Sequence, residues 1–294
     1  MYGAMIGDIA GSKYEFHNIK TKQFPLFSRG CDFTDDTIMT VAVARALMQS
    51  CPDTHPDGDG WASFELRLIE SMQALGRRYP HPTGQYGGSF AAWLRRPQPK
   101  PYGSYGNGSA MRVSPCALIA VSMEEALRLA RVSAAVTHNH PEGVKGAEAV
   151  AAAVYLAKTG SSREEIREWI TQRYYPLDFT LDEIREDYRF DVTCQGSVPQ
   201  AIEAFLESTS FEDAIRNVIS IGGDCDTTGA ITGSIAWAYY TVQSGGCNAW
   251  LRGETPLDMA YILCQAKSYL PAEFIETADA FHSLCAQRMR DGAV

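Results

Sequence analysis

Positive charge is scarce in this sequence. Lys and Arg number 26 against 35 Asp and Glu, giving a net charge of −9 and an isoelectric point near 5.2. No overall basic field points to nucleic acid or to an anionic membrane. The basic spots Arg77-Arg78, Arg95-Arg96 and Lys100 are short and broken by proline. No apolar run approaches the ~20 residues that span a bilayer, and no basic-apolar leader opens the chain. The eight cysteines form no C-x-x-C and no Cys/His grouping of zinc-finger spacing. These absences lead us to expect a soluble, cytoplasmic, reduced protein with neither nucleic-acid nor membrane partners.

Strands are also missing. Val218-Ile219-Ser220-Ile221 is the best β-like run, while helical periodicity runs through 35–50, 61–75, 109–121, 123–136, 143–158, 163–173, 197–207, 211–219, 226–242, 256–268 and 272–290. The expectation is a compact, all-α, single domain over 1–294, with loops carrying the chemistry. No linker and no internal repeat stands out. Residues 176–195 read as an irregular, acidic surface excursion. Trp250 and the last amphipathic helix read as core packing. Asp57-x-Asp59-Gly60 hints at a calcium loop, but its later ligand positions do not fit the EF-hand pattern.

Two acidic clusters stand almost two hundred residues apart. One is Phe33-Thr34-Asp35-Asp36-Thr37, the other Gly222-Gly223-Asp224-Cys225-Asp226-Thr227-Thr228. Each packs two carboxylates and neighbouring hydroxyls ahead of a helix-like run. Brought together, they would supply hard oxygen ligands for a pair of Mg²⁺-like ions, which take about six oxygens each. The plainer reading of the first cluster is a helix start, with Thr34 as N-cap and two acids in the first turn. Cys225 is a soft ligand, expected to point away. The D-x-D-x-T order after a short apolar run also occurs in haloacid-dehalogenase-type phosphatases, but here it lies late in a helical sequence.

Other segments carry weaker signals. Gly3, Gly7 and Gly11 form a ridge on one helix face, fit for close packing, with Asp8 able to orient a ligand and Glu15 able to face the metals. Gly106-Asn107-Gly108-Ser109 precedes a helix-like run containing Arg112; it is either an anion-binding turn or an ordinary glycine turn with a Ser cap. His138-Asn139-His140-Pro141 holds the close histidine pair, suited to substrate contact or to backbone hydrogen bonding. Gln85-Tyr86-Gly87-Gly88-Ser89-Phe90 could stack a base or a ribose.

Taken together, GAMIGDIAGSKYE, FTDDTIMTVAVARAL, YGNGSAMRVSPCAL, VTHNHPEGVKGAEAV and GGDCDTTGAITGSIAWA resemble the ADP-ribosylglycohydrolase family, in the family's order and across residues 3–241. The resemblance implies an all-α fold and a binuclear Mg²⁺ (or Mn²⁺) site. Thr34, Asp35, Asp36, Asp224, Asp226 and Thr227 would be the metal ligands, with Asp226 bridging. Glu15 and Asp35 are the implied catalytic carboxylates. Gly106, Asn107, Gly108, Ser109, His138 and His140 would bind the substrate. The implied partner is an ADP-ribosylated protein or an ADP-ribose-containing small molecule, with arginine linkage the first choice and serine or acetyl linkage the alternatives. A non-catalytic, ADP-ribose-binding or structural member of the family is the reading of a different class; it would show eroded ligand positions. Oligomeric state is not encoded in any of these motifs.

Overall fold

The computed structural model describes residues 1–51, 60–246, 249 and 252–291. The Asp57–Gly60 segment and Trp250 fall wholly or largely outside them. Among the described residues there is no sheet, only isolated bridges such as Gly106 with Thr193. Nor, among the described residues, is any helix long and apolar enough to cross a membrane.

The helices are α1 (Tyr2–Ser12), α2 (Asp35–Ser50), α3 (Phe64–Arg78), α4 (Gly88–Leu94), α5 (Gly108–Met111), α6 (Ser114–Ile119), α7 (Met123–Ala135) and α8 (Pro141–Lys158). There follow α9 (Arg163–Arg173), α10 (Leu181–Ile184), α11 (Cys194–Leu206), α12 (Phe211–Ser220), α13 (Cys225–Gly245), α14 (Leu257–Lys267) and α15 (Ala272–Asp291). The all-α expectation therefore holds.

Two differences have simple causes. The expected helix 109–121 is split into α5 and α6, because Pro115 sits at the start of α6. In a continuous helix its missing N–H would forfeit a bond and its ring would clash. The β-like run Val218–Ile221 is instead the end of α12. Phe211, Ile215, Val218 and Ile219 recur at helical spacing and are all buried.

The centre of the fold is α13. It is buried from Cys225 to Tyr239 and packs against α1, α8, α11 and α12. Its partner α1 is buried from Gly3 to Ser12. The pairing is antiparallel and runs through glycines. An added Cβ would lie 2.1 Å from Gly233 O at Gly3, 1.9 Å from Gly229 O at Gly7 and 2.1 Å from Cys225 O at Gly11. No side chain fits there, so the backbones touch. The consequence is positional: the C-terminal end of α1 lies against the N-terminal end of α13. The last helix, α15, adds Phe274, Ala278, Phe281 and Cys285 to the core, as its amphipathic pattern predicts.

Candidate active site

Because α1 and α13 are antiparallel, Asp8 and Glu15 reach the start of α13. The start of α2 arrives from the side. Asp8 is fully buried. Its Oδ1 accepts from the Thr34 hydroxyl at 2.8 Å, and its Oδ2 accepts from the backbone N–H of Thr34 and of Thr37, each at 3.0 Å. Asp8 thus fastens the N-terminus of α2 to α1. Thr34 also caps α2, accepting from the Asp36 N–H at 3.2 Å. The helix-start reading of this motif is therefore realised, with Asp36 standing in the carboxylate cluster as well.

At α13, Gly222 and Gly223 adopt φ of +70° and +84°, values that favour glycine. This turn aims Asp224 and Asp226 towards α2. Asn107 Nδ2 donates to Asp224 Oδ2 at 2.7 Å, and the Thr227 hydroxyl lies 3.4 Å from Asp36 Oδ2. Carboxylate oxygens of Asp8, Asp36 and Asp226 lie within 4.8 Å of one another, as do those of Glu15, Asp224 and Asp226. Asp226 belongs to both groups.

The electrostatics of this cluster are those of anions in want of a counter-charge. Burial pushes the Asp8 and Asp224 carboxyls up to about 6. Burial, then the Asp226 charge, raises Glu15 to about 8. Asp35, Asp36 and Asp226 are driven well above the usual carboxylate range by burial first and by neighbouring carboxylates second. Asp36 Oδ1 is buried with no hydrogen-bond partner. Hard oxygen donors, mutual repulsion and an orphaned carboxylate oxygen fit divalent cations of the Mg²⁺ type.

The cluster floors a cleft of about 650 Å³. Glu15, Asp35, Asp36, Asp224, Asp226 and Thr227 line it, as do Gly106, Asn107, Gly108 and His138. Gln85–Phe90, expected as a loop but helical from Gly88 at the start of α4, also lines it. Thr34 lies below the floor.

Two expected substrate contacts are turned elsewhere. The Ser109 side chain is fully buried, and its hydroxyl donates to Gly143 O at 2.7 Å, tying α5 to α8. It therefore caps nothing and does not face the cleft. His140 is the N-cap of α8: its Nδ1 accepts from the Glu142 N–H at 3.1 Å, on the exposed side. The GNGS turn also differs from a plain amide cradle. Gly106 N–H donates to Ser104 Oγ and Asn107 N–H to Val192 O. Cys225, as expected, points away, with its Sγ buried near Asn18 and Ile219 O.

Several site residues were not legible in the sequence. Asn18 Nδ2 lies within hydrogen-bonding range of the carbonyls of Tyr14, Glu15 and Gly223, and Asn18 Oδ1 accepts from the Gly223 N–H at 2.8 Å. One side chain thus clasps the Glu15 segment to the turn before Asp224. The 176–195 stretch does run over the surface as expected, and within it the exposed Phe190 and Val192 also line the cleft, as Phe16 does. The Phe16 and Phe190 rings stack at 6.0 Å. The signal available was slight: two apolar residues among acidic ones.

Residues 1–244 match the family model described as ADP-ribosylglycohydrolase. The chain belongs to the ADP-ribosylglycohydrolase family. It is therefore a glycosidic-bond hydrolase by family. It is similar to ADP-ribosylhydrolase ARH3 of Homo sapiens, 28% identical over 315 residues that cover 81% of this chain and 83% of that one. ARH3 of Xenopus tropicalis is 25% identical, covering 99% of this chain and 95% of its own. ADP-ribosylarginine hydrolase Tri1 of Pseudomonas putida (strain GB-1) is 27% identical, covering 83% and 70%. Among solved structures, one described as an ADP-ribosylglycohydrolase-related protein complex superposes with a TM-score of 0.64 at 21% identity, covering 99% of this chain and 95% of that one. It shares the fold.

Proposed function

We propose that this family member releases ADP-ribose from ADP-ribosylated protein side chains, arginine-linked first, at a site for two Mg²⁺ or Mn²⁺ ions. The observation that carries the reading is the meeting of two acidic helix starts, far apart in sequence, on the floor of one cleft walled by the GNG turn. The similarity to a protein named ADP-ribosylarginine hydrolase supports the choice of arginine.

Asp35, Asp36, Asp224, Asp226 and Thr227 would hold the cations, with Asp226 shared between them and the Thr34 hydroxyl behind. Bound there, divalent cations supply Lewis acidity that orients sugar hydroxyls, acidifies water and offsets charge at the reacting carbon. The chain's own residues do the rest. Asp8 holds the α2 start in place, and Asn107 fixes the orientation of Asp224. Asp35 or Glu15, both facing the cleft, accepts the proton of the attacking water. His138 and the GNG turn hold the diphosphate, which sets the distal ribose over the carboxylates. The aromatic and apolar walls limit access of water.

The test is ADP-ribose release from arginine-, serine- and acetyl-linked substrates, with Mg²⁺ and with EDTA. Release from the arginine linkage that EDTA abolishes is the expected result. Release from the serine or acetyl linkage alone would replace the acceptor. No release from any of the three by folded protein would overturn the proposed substrates and favour another acceptor or a binding role.

A further inference from the structure

Arg112 is a cation buried to 1% exposure with no carboxylate among its hydrogen-bond partners. Its Nη1 donates to Gly108 O at 2.9 Å, and its Nη2 donates to Ser133 O and to Thr137 Oγ1, each at 2.8 Å. It therefore ties the GNG turn to the end of α7. Thr137 Oγ1 in turn lies 2.6 Å from His138 Nδ1.

The proton count along this chain has one good solution. A guanidinium only donates, so one lone pair of Thr137 Oγ1 is taken by Arg112. The hydroxyl has a single proton. If it goes to His138 Nδ1, the Thr137 hydroxyl and that ring nitrogen are both satisfied, and the imidazole proton sits on Nε2. If Nδ1 carried the proton instead, the fully buried Thr137 hydroxyl would be left without an acceptor, at a cost of about 1–3 kcal/mol. A doubly protonated ring is opposed by its burial and by the Arg112 charge. Nε2 is the ring nitrogen nearest the turn: an added Cβ at Gly108 would lie 3.2 Å from it, and one at Gly106 3.5 Å. His138 lines the cleft there.

We propose that Arg112, acting through Thr137, is a positioning residue that holds His138 with its proton on Nε2, so that the ring presents a single N–H donor at the GNG turn to a phosphate oxygen. The relay replaces part of the amide cradle, since the Gly106 and Asn107 N–H groups are used within the protein. It rests on the ADP-ribose reading of the cleft only for the identity of the anion; the tautomer stands on the geometry alone.

The test is long-range ¹H–¹⁵N correlation on the full chain labelled with ¹⁵N-histidine, with His138 assigned by its loss in His138→Gln. A pyrrole-type Nε2 and a pyridine-type Nδ1 in the wild type are expected. Thr137→Val should break the single tautomer and weaken ADP-ribose binding about tenfold by calorimetry, the worth of one charge-assisted hydrogen bond. Adenosine, which lacks phosphate, should bind both proteins alike, and Thr137→Ser should restore both tautomer and affinity. Inorganic pyrophosphate, run alongside, should follow ADP-ribose. A proton on Nδ1 in the wild type overturns the relay without need of any variant. An unchanged tautomer and affinity in Thr137→Val, or failure of Thr137→Ser to restore them, overturns it as well. The expected tautomer in a wild type that binds no ADP-ribose would uphold the relay and sink the proposed substrate.

Discussion

Replacing Gly7 by alanine adds one methyl group at the closest approach of α1 and α13. That carbon would lie 1.9 Å from Gly229 O and 2.3 Å from Gly229 C, where ordinary contact begins at 3.4 Å. The obstacle is backbone, so no rotamer change relieves it. The two helices must part by about 1.5 Å. Overpacking of this kind costs about 1–3 kcal/mol, and a rigid backbone neighbour argues for the upper end. Against it stands a gain of ~1 kcal/mol from replacing glycine in a helix interior. The net loss is about 2 kcal/mol, or a fall in Tm of roughly 3 °C for a chain of 294 residues. The functional consequence is larger than the stability change implies, because the same contact sets Asp8 and Glu15 against Asp226. Thermal melting of Gly7→Ala, with and without Mg²⁺, reads both effects. The variant should melt lower and lose most of the Mg²⁺-induced rise. Melting within about 1 °C of the wild type, with an undiminished Mg²⁺ response, would refute the glycine contact as the device that assembles the site.

Four further outcomes are expected. Asp226→Ala should abolish metal-dependent turnover while the protein still folds; near-normal activity would remove the shared-ligand role. In metal-free protein the raised carboxyls mean that the folded state binds protons more tightly than the unfolded one, so stability falls as pH rises from about 4 through 6 and on to 8. Mg²⁺ should therefore raise Tm more at pH 8 than at pH 5, and a flat metal-free profile across that window would contradict the electrostatic account. Gly108→Val should raise KM for ADP-ribosyl substrates sharply with a smaller effect on kcat, since its first carbon already presses on His138 at 3.2 Å; an unchanged KM would show that the turn does not hold substrate. Asn18→Ala should cost about 1–3 kcal/mol and lower activity by loosening the Glu15 segment from Gly223. Melting and kinetics indistinguishable from the wild type would show that the clasp is redundant.

Most of the helices, the Thr34 cap and the two acidic motifs were legible because each depends on contacts within a few residues. Thr34 caps α2 because its own side chain reaches Asp36 N–H, and the α15 face is apolar at the spacing of one turn. The i, i+4 glycines of α1 likewise announced a close helix contact before any partner was known. Family order then tied the motifs together. What the sequence did not contain was direction. Ser109 and His140 belong to motifs that face the cleft, yet one binds Gly143 O and the other caps α8. Asn18 looks like any loop asparagine until Gly223 is beside it, and the exposed Phe190 and Val192 become cleft lining only because Val192 O is bonded to Asn107 N–H of the GNG turn. Those outcomes are set by the register of an antiparallel helix pair and by contacts such as Thr227 with Asp36, 191 residues apart. Periodicity and capping are local and can be read along the chain. Which neighbour a side chain turns towards is decided only when distant segments are packed, because there burial and hydrogen bonding are shared between them.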